Sequence, residues 1–319
     1  TSQYTLSLHD ALPIWKTRRL RKRKTWMNPY SLDCGPHQLE LGQHTAVMGI
    51  LNITPDSFSD GGRFLGRDAA LARAEKLVAA GADILDIGGE SSRPFSDPVS
   101  AEEETRRVLP VIEHLADKIP VPISIDTTKS VVARRAVNAG ARIINDISAL
   151  RFDPEMGRVA AEAGAVLVLM HMKGSPKTMQ VEPVYTDLIG EIHDFLEDAL
   201  NRAQAAGIPQ DRLIADPGIG FGKTVSHNLQ LINRLDAFAD LGVPLLVGPS
   251  RKAFIRKLFL QEAGAEYAAD SPEIETGTQG AVAAAIMKGA HIVRVHDVAA
   301  ARSTVRVTDA IRREKPAGG

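Results

Sequence analysis

Two potential cations stand two residues apart in the apolar run Ile292-Val293-Arg294-Val295-His296-Asp297. In an extended strand, residues i and i+2 share a face, so Arg294 and His296 point one way and Val293 and Val295 the other. A cation at the end of a buried strand is costly unless a negative charge meets it. Internal carboxylates such as Asp297 or Asp86 would do so. So would an anionic ligand, whose phosphate oxygens suit the planar guanidinium. Arg93, Lys252 and the start of a following helix add to the same positive region, which favours phosphate or pyrophosphate. Other runs end in carboxylates and amides. Ser124 and Asp126 share one strand face, Asn145 ends the next run and Asp216 another. Two carboxylates and an amide converging on one opening would hydrogen-bond the N–H edge of a flat, donor-rich heterocycle. Taken singly, metal ligation or capping of the next helix explains each of them as well.

These residues need a scaffold that gathers strand ends. Asn52, Asp86, Glu90-Ser91-Ser92-Arg93, Asp126, Asn145-Asp146, Met170-His171, Asp216, Ser250-Arg251-Lys252, Arg294 and His296 all lie at the ends of apolar runs. The runs at 46–51, 82–88, 121–126, 142–147, 165–171, 213–216, 244–247 and 290–296 read as buried parallel strands. Helices are expected at 67–80, 100–117, up to 140, 154–163, 186–206, 226–240, split or extended across 252–288, and to 313. Ser100 with Glu103 forms a capping-box signature, and Gly81 and Gly164 are C-cap signals. Such alternation predicts an α/β fold, a single (β/α)8 TIM barrel with its active site at the C-terminal ends of the strands. A doubly wound open sheet is the alternative, but it more often stops at about five or six strands.

Two loops stand out. Residues 54–62 carry Pro55 and Gly61-Gly62, the marks of a lid. Asp216-Pro217-Gly218-Ile219-Gly220-Phe221-Gly222-Lys223 is glycine-rich without P-loop spacing. It reads as a close backbone approach to a ligand, with Phe221 as a packing wall.

The chain has 319 residues, 44% hydrophobic and 24% charged, as in ordinary globular proteins, with no apolar run long enough for a membrane span. Its single cysteine, Cys34, fits a reducing compartment and excludes a multi-cysteine zinc site. Net charge is −1, yet residues 1–26 carry seven Lys/Arg against Asp10, leaving the remainder acidic. That argues against nucleic acid as the main partner. Residues 1–26 are expected to be a basic extension outside the fold, disordered or non-native. Their positive charges follow the apolar stretch, unlike a secretory signal, and Met27 would be a natural start. Residues 27–319 are expected to form one catalytic domain.

Several motifs in order resemble the dihydropteroate synthase family over residues 46–313. They are Met48-Gly49-Ile50-Leu51-Asn52-Ile53-Thr54-Pro55-Asp56-Ser57-Phe58-Ser59-Asp60-Gly61-Gly62, Gly88-Gly89-Glu90-Ser91-Ser92-Arg93-Pro94, Ser124-Ile125-Asp126-Thr127, Asn145-Asp146, Leu169-Met170-His171-Met172, the 216–223 loop, Ser250-Arg251-Lys252 and Arg294-Val295-His296-Asp297. The resemblance implies a pterin-binding transferase of folate biosynthesis and a sulfonamide target. Such an enzyme joins 6-hydroxymethyl-7,8-dihydropterin diphosphate to p-aminobenzoate, giving 7,8-dihydropteroate and pyrophosphate. It implies that Asp126, Asn145, Met170, Asp216, Phe221, Gly248 and Lys252 hold or frame the pterin. Asn52, Arg93, Arg294 and His296 would hold the diphosphate, with Mg2+ near Asn52. Ser92, Pro94, Phe221 and Ser250 would meet the aminobenzoate. Asp126, Lys252, Arg294 and His296 would carry the chemistry. A cytoplasmic homodimer that works on small molecules, with no nucleic acid or membrane partner, is implied too.

The chain departs from the family pattern at Ser92 for Thr, Phe95 for Gly, Ile219 for Phe, and Ala253 for a hydroxyl residue. Phe95 is expected to alter loop mobility and sulfonamide response. The runner-up readings are a corrinoid-linked methyltransferase module and a non-catalytic pterin-binding barrel. The methyltransferase module has no use for Arg93, Arg294 and His296 or for the 54–62 loop, and loss of Asn52, Arg93 or His296 would suggest the non-catalytic barrel, yet all are present.

Overall fold

The structure is a computed structural model that describes residues 29–53, 62–91, 97–175, 179, 183–264 and 266–314, with side chains of 62–65 and 263 excepted. In the barrel, each strand is followed by helix. The order is β3 (Ala46–Asn52), α1 (Gly62–Ala79), β4 (Ile84–Gly88), α2 (Ala101–Leu115), β5 (Ile123–Asp126), α3 (Ser130–Asn138), β6 (Ile143–Asp146), α4 (Met156–Ala163), β7 (Val166–Met170) and α5 (Leu188–Ala205). It continues through β8 (Leu213–Asp216), α6 (Val225–Asn233), β9 (Leu246–Val247), α7 (Ala253–Ala263), α8 (Pro272–Met287), β10 (Ile292–Val295) and α9 (Val298–Arg313). All neighbours in the eight-stranded sheet are parallel, in the order β8-β7-β6-β5-β4-β3-β10-β9. A parallel bridge from Ala215 to Leu245 joins the outer strands, with Ala215 N donating to Pro244 O at 3.0 Å, and closes the barrel. The eight expected β/α units are therefore present, and the expected split after the seventh strand is the α7–α8 pair.

Strand alternation sorts the side chains. Val47, Leu85, Ile87, Ile123, Ile125, Ile144, Leu167, Leu169, Val247, Val293 and Val295 face outward and pack under the helices. Met48, Ile84, Ile143, Val166, Val168, Ile214, Leu246 and Ile292 form an apolar cluster at the base of the barrel. An antiparallel hairpin, β1 (Tyr30–Cys34) and β2 (His37–Leu41), floors that cluster with Leu32, Cys34, Leu39 and Leu41. Cys34 is buried there, and burial with Asp33 beside it pushes the thiol up to about 12, so it is a passive packing residue.

Local signals at helix ends hold in part. Gly164 is a left-handed C-cap with φ 59°, as expected. Ser100 accepts from Glu103 N at 3.2 Å, but the Glu103 carboxylate pairs with Arg106 and Arg107 at 2.6 and 2.8 Å. The reciprocal box forms instead at the start of α6, between Thr224 and His227.

Candidate active site

Above the apolar base, the inward face turns polar. Asp86, Asn145, Asp216 and Arg294 each lie two residues beyond an inward apolar residue, on β4, β6, β8 and β10, and Ser124 and Asp126 share the inward face of β5. Asp126, Asn145, Asp216 and Arg294 open on a cavity that Ile147, Met170, Ile219, Phe221, Gly248 and Lys252 line with them. All seven residues expected to hold or frame a ring are in that wall. A buried patch of Ile147, Met170, Met172, Met179 and Phe221 supplies the apolar side. A mouth with carboxylates, an amide and two cations around an apolar slot can bind a flat polar ring by its edge and faces.

The Arg294 guanidinium is held by carboxylates. Nε donates to Asp86 Oδ2 at 2.6 Å and Nη2 to Asp126 Oδ2 at 2.7 Å. Of the two internal partners weighed from sequence, Asp86 is the one used. Asp297 instead caps α9 by accepting from Ala300 N at 3.0 Å. The same Asp86 oxygen accepts from Asn145 Nδ2 at 3.2 Å, so one wholly buried carboxylate orients both an arginine and an amide of the wall. Burial opposes charge on Arg294, but Asp86 and Asp126 outweigh it and hold its pKa above the usual value. Burial pushes Asp126 up to about 7, against the pull of Arg294, and pushes Asp216 up to about 6. Burial and Arg294 bring the Lys252 ammonium down to about 8.

Lys252 is the N-cap residue of α7, and its Nζ sits 3.8 Å from the centroid of the Phe221 ring, a cation–π contact. Gly220 makes room for it, since a Cβ there would lie 2.8 Å from Lys252 Cδ. Gly218, at φ 73°, passes so close to His171 that a Cβ would meet the carbonyl oxygen at 1.8 Å. Two glycines of this loop therefore allow close approach to protein, namely Gly220 to the Lys252 stem and Gly218 to the end of β7.

His296 and Ser250 meet directly: Ser250 Oγ is 3.0 Å from His296 Nδ1 and accepts from His296 N at 3.2 Å. The residue expected beside the diphosphate thus touches the one expected beside the aminobenzoate. Asn52 is exposed at the end of β3. A Cβ on Gly88 would lie 3.7 Å from Asn52 Oδ1 and 3.7 Å from Asp126 Oδ2, so the bare glycine leaves a recess flanked by two oxygens. Hard oxygen donors with room for water and phosphate oxygens are what Mg2+ takes. Among the described residues, the one His/Asp/Glu group close enough to share a metal is His193, Asp194 and Glu197 on α5, which contains no mouth residue. Arg93, Ser92, Pro94 and Phe95, and loop 54–61, lie outside the described residues.

Some residues here carry structure to which the sequence alone assigns no role. Lys223 is buried and contacts His171 Nδ1 at 2.9 Å. Lys129 joins Glu90 and Glu104, each at 2.6 Å, beneath the mouth end of β4. Glu104 was detectable: it interrupts the apolar stripe Thr105, Val108, Val111, Ile112, Leu115 on the buried face of α2. The Glu90 carboxylate also accepts from Val99 N at 2.8 Å, so this cluster ties the strand end to the approach of α2.

Comparison with known proteins gives one family throughout. Residues 48–296 match the family described as pterin binding enzyme. The dihydropteroate synthase of Synechocystis sp. is 46% identical over 285 residues, covering 89% of this chain and 96% of its own. A solved structure of Xanthomonas albilineans dihydropteroate synthase with 4-aminobenzoic acid superposes with a TM-score of 0.81 at 42% identity, covering 90% of this chain and 100% of that one. The Yersinia pestis enzyme in complex with a sulfonamide drug also gives 0.81, at 41% identity over 89% of this chain and 100% of that one.

Proposed function

This chain belongs to the pterin-binding enzyme family and, within it, to the dihydropteroate synthases, and on that footing we propose how its barrel mouth performs the transfer. The observation that carries the proposal is the convergence of Asp126, Asn145, Asp216 and Lys252 on one cavity with Met170 and Phe221 as its apolar walls. Asp216 and Asp126 accept hydrogen bonds from the ring's N–H and NH2 groups, and Asn145 both donates and accepts. Lys252 donates to a ring carbonyl or nitrogen, held over Phe221.

The diphosphate extends from the ring toward Asn52, Arg294 and His296, with Arg93 from the second loop. Asn52 would hold Mg2+ through Oδ1, and the ion would supply charge neutralisation at the diphosphate. The bond between the pterin methylene carbon and the diphosphate oxygen breaks, and pyrophosphate leaves with that electron pair. Asp126 stabilises the positive charge left on the ring and its methylene. The p-aminobenzoate nitrogen, placed by Ser92, Pro94, Phe221 and Ser250, forms the new C–N bond with its lone pair and then loses a proton. No side-chain nucleophile takes part. The same proposal places the protein in the cytoplasm as a homodimer. The lone buried thiol suits a reducing compartment, and exposed Leu260, Met287, Val307 and Ile311 on α7–α9 offer apolar surface to a second copy.

The test is pyrophosphate release by the full chain with dihydropterin diphosphate, Mg2+ and p-aminobenzoate. Aminobenzoate-dependent release that falls at least about 100-fold in His296→Ala is expected. Pterin binding without release would leave a binding barrel and sink the proposal.

A further inference from the structure

Lys223 is a further buried lysine, in the loop that carries Phe221, and the transfer scheme above gives it no task. We propose that Lys223 is a positioning residue for the pterin: together with His171 it fixes where Phe221 stands and provides Asp216 with a second counter-charge. This rests on the reading of the mouth as a pterin site.

Lys223 is only 3% exposed. Its Nζ donates to Phe221 O at 3.0 Å and lies 2.9 Å from His171 Nδ1. These acceptors belong to different elements, the loop after β8 and the end of β7, so one ammonium ties two strand ends together. Backbone contacts close the same unit: His171 N donates to Asp216 O at 2.9 Å, Gly218 N to Asp216 Oδ1 at 2.7 Å, and Phe221 N to Gly218 O at 3.1 Å. A displaced Phe221 carbonyl would carry its ring with it, and that ring is both a cavity wall and the platform for Lys252.

The arrangement needs His171 neutral, with Nδ1 free to accept and the proton on Nε2. Burial first, then Lys223 and Arg151, bring its pKa down to about 2. The ring is wedged edge-on against Phe195 at 4.8 Å and tilted against Tyr185 at 6.1 Å. Burial also brings Lys223 down to about 7, a fall that Asp216 opposes and Lys252 reinforces. The charged groups around this unit are Asp216 on β8, Lys252 at the start of α7, Arg294 on β10, Arg151 after β6 and Lys173 after β7, and the titratable His227 on α6 is held toward its neutral form by burial and Lys223. Both Lys252 and Lys223 favour the ionised form of Asp216. A lysine that only clamped the loop would hold the fold without setting that charge.

The experiment uses the full chain with Lys223→Met, His171→Asn and His171→Leu. Titration calorimetry with 6-hydroxymethylpterin gives Kd, and steady-state kinetics across pH give KM for each substrate. For Lys223→Met, pterin Kd is expected to rise roughly tenfold or more, since a charge-assisted bond is lost. KM for aminobenzoate should change by less than about threefold. The acid limb of kcat/KM for the pterin substrate should move up by about one pH unit, because Asp216 loses a cation. His171→Asn, which puts an acceptor oxygen where Nδ1 stood, should keep near-parental pterin binding, and His171→Leu should not. A folded Lys223→Met chain that binds pterin like its parent overturns the proposal. So does a common rise in both KM values with an unmoved acid limb, or equal behaviour of the two His171 variants. If Lys223→Met does not fold, the His171 pair decides by the same readings. A parent chain that binds no pterin overturns the site reading and this proposal with it.

Discussion

Arg294 donates to Asp126 at 2.7 Å, which joins the side chain expected to receive a leaving anion to the one expected to hold the ring. The two halves of the site are therefore electrostatically one unit. Asp86, wholly buried below, holds the same guanidinium by its Nε at 2.6 Å. The two carboxylates offset the cation's desolvation cost. An arriving diphosphate adds a third anion to a guanidinium that is in place and aligned.

That relationship makes Asp86 indispensable although it does not line the cavity. Asp86→Asn leaves a buried arginine short of one charge, a loss of about 3–5 kcal/mol for a broken buried pair. It also weakens the acceptor that Asn145 shares, since a neutral amide oxygen replaces a carboxylate. We expect kcat/KM for the pterin substrate to fall at least about 100-fold. Steady-state kinetics, with circular dichroism to confirm folding, check it. Parent-like kinetics would show that Arg294 is aligned by other means.

The pH dependence follows from three buried groups. Asp216 titrates near 6 and Asp126 near 7, both raised chiefly by burial, and Lys252 near 8, lowered by burial and by Arg294. Ring binding uses the ionised carboxylates and the ammonium, so kcat/KM for the pterin substrate should be bell-shaped. It should rise through about pH 6–7 and fall above about pH 8. Stability runs differently. The folded state holds the Asp126 proton more tightly than the unfolded chain does, so this group's contribution is full below pH 3.8 and is lost as pH rises through about 7. Rate and urea-unfolding measurements across the same pH range should therefore diverge between about pH 4 and 7. Parallel curves would refute the assignment.

Two glycines separate backbone necessity from mere occupancy. Gly218→Ala would place a methyl 1.8 Å from the His171 carbonyl oxygen, at φ 73°. A clash with backbone has no cheap relaxation, so a loss above about 3 kcal/mol is expected, together with a distorted Phe221 wall. Gly280, inside α8, faces open space, with nothing within 4 Å of where a Cβ would stand. Gly280→Ala should therefore stabilise by about 0.5–1 kcal/mol. Thermal denaturation of the two variants checks both signs.

What the sequence made legible follows from which forces are local. The eight units show because buried parallel strands are apolar runs with polar ends, and Gly164 shows because a left-handed cap favours glycine. The hairpin at Tyr30–Leu41 does not show. Each strand carries just two buried apolar residues, and they are core only because the base of the barrel lies above them. Arg294 illustrates the same limit. Its residue type demands a counter-charge, but only the β4–β5 register, Asp86 beside Ser124 and Gly88 beside Asp126, decides that the partners are internal. Lys223 is hidden by its glycine-rich neighbourhood, whose stronger signal is close backbone approach with Phe221 as a wall.

The cluster at Lys129 gives a last prediction, about stability. Glu104 is wholly buried, with Lys129 Nζ 2.6 Å from its Oε2, and burial, which outweighs Lys129 and Thr127, raises its pKa. Lys129→Met strands that carboxylate without its cation. At pH 7 the cost should be about 3–5 kcal/mol. A carboxyl with a raised folded pKa binds its proton more readily folded than unfolded, so its penalty is absent at low pH and appears as pH rises through the folded value. In the variant, with the cation gone, that value rises further and the penalty extends to higher pH. The stability gap between parent and variant should therefore narrow as pH falls, as Glu104 takes up its proton. Urea unfolding at pH 7 and again at pH 5 measures it. A gap that stays constant would mean that Lys129 acts through its aliphatic packing and not as the counter-charge of Glu104.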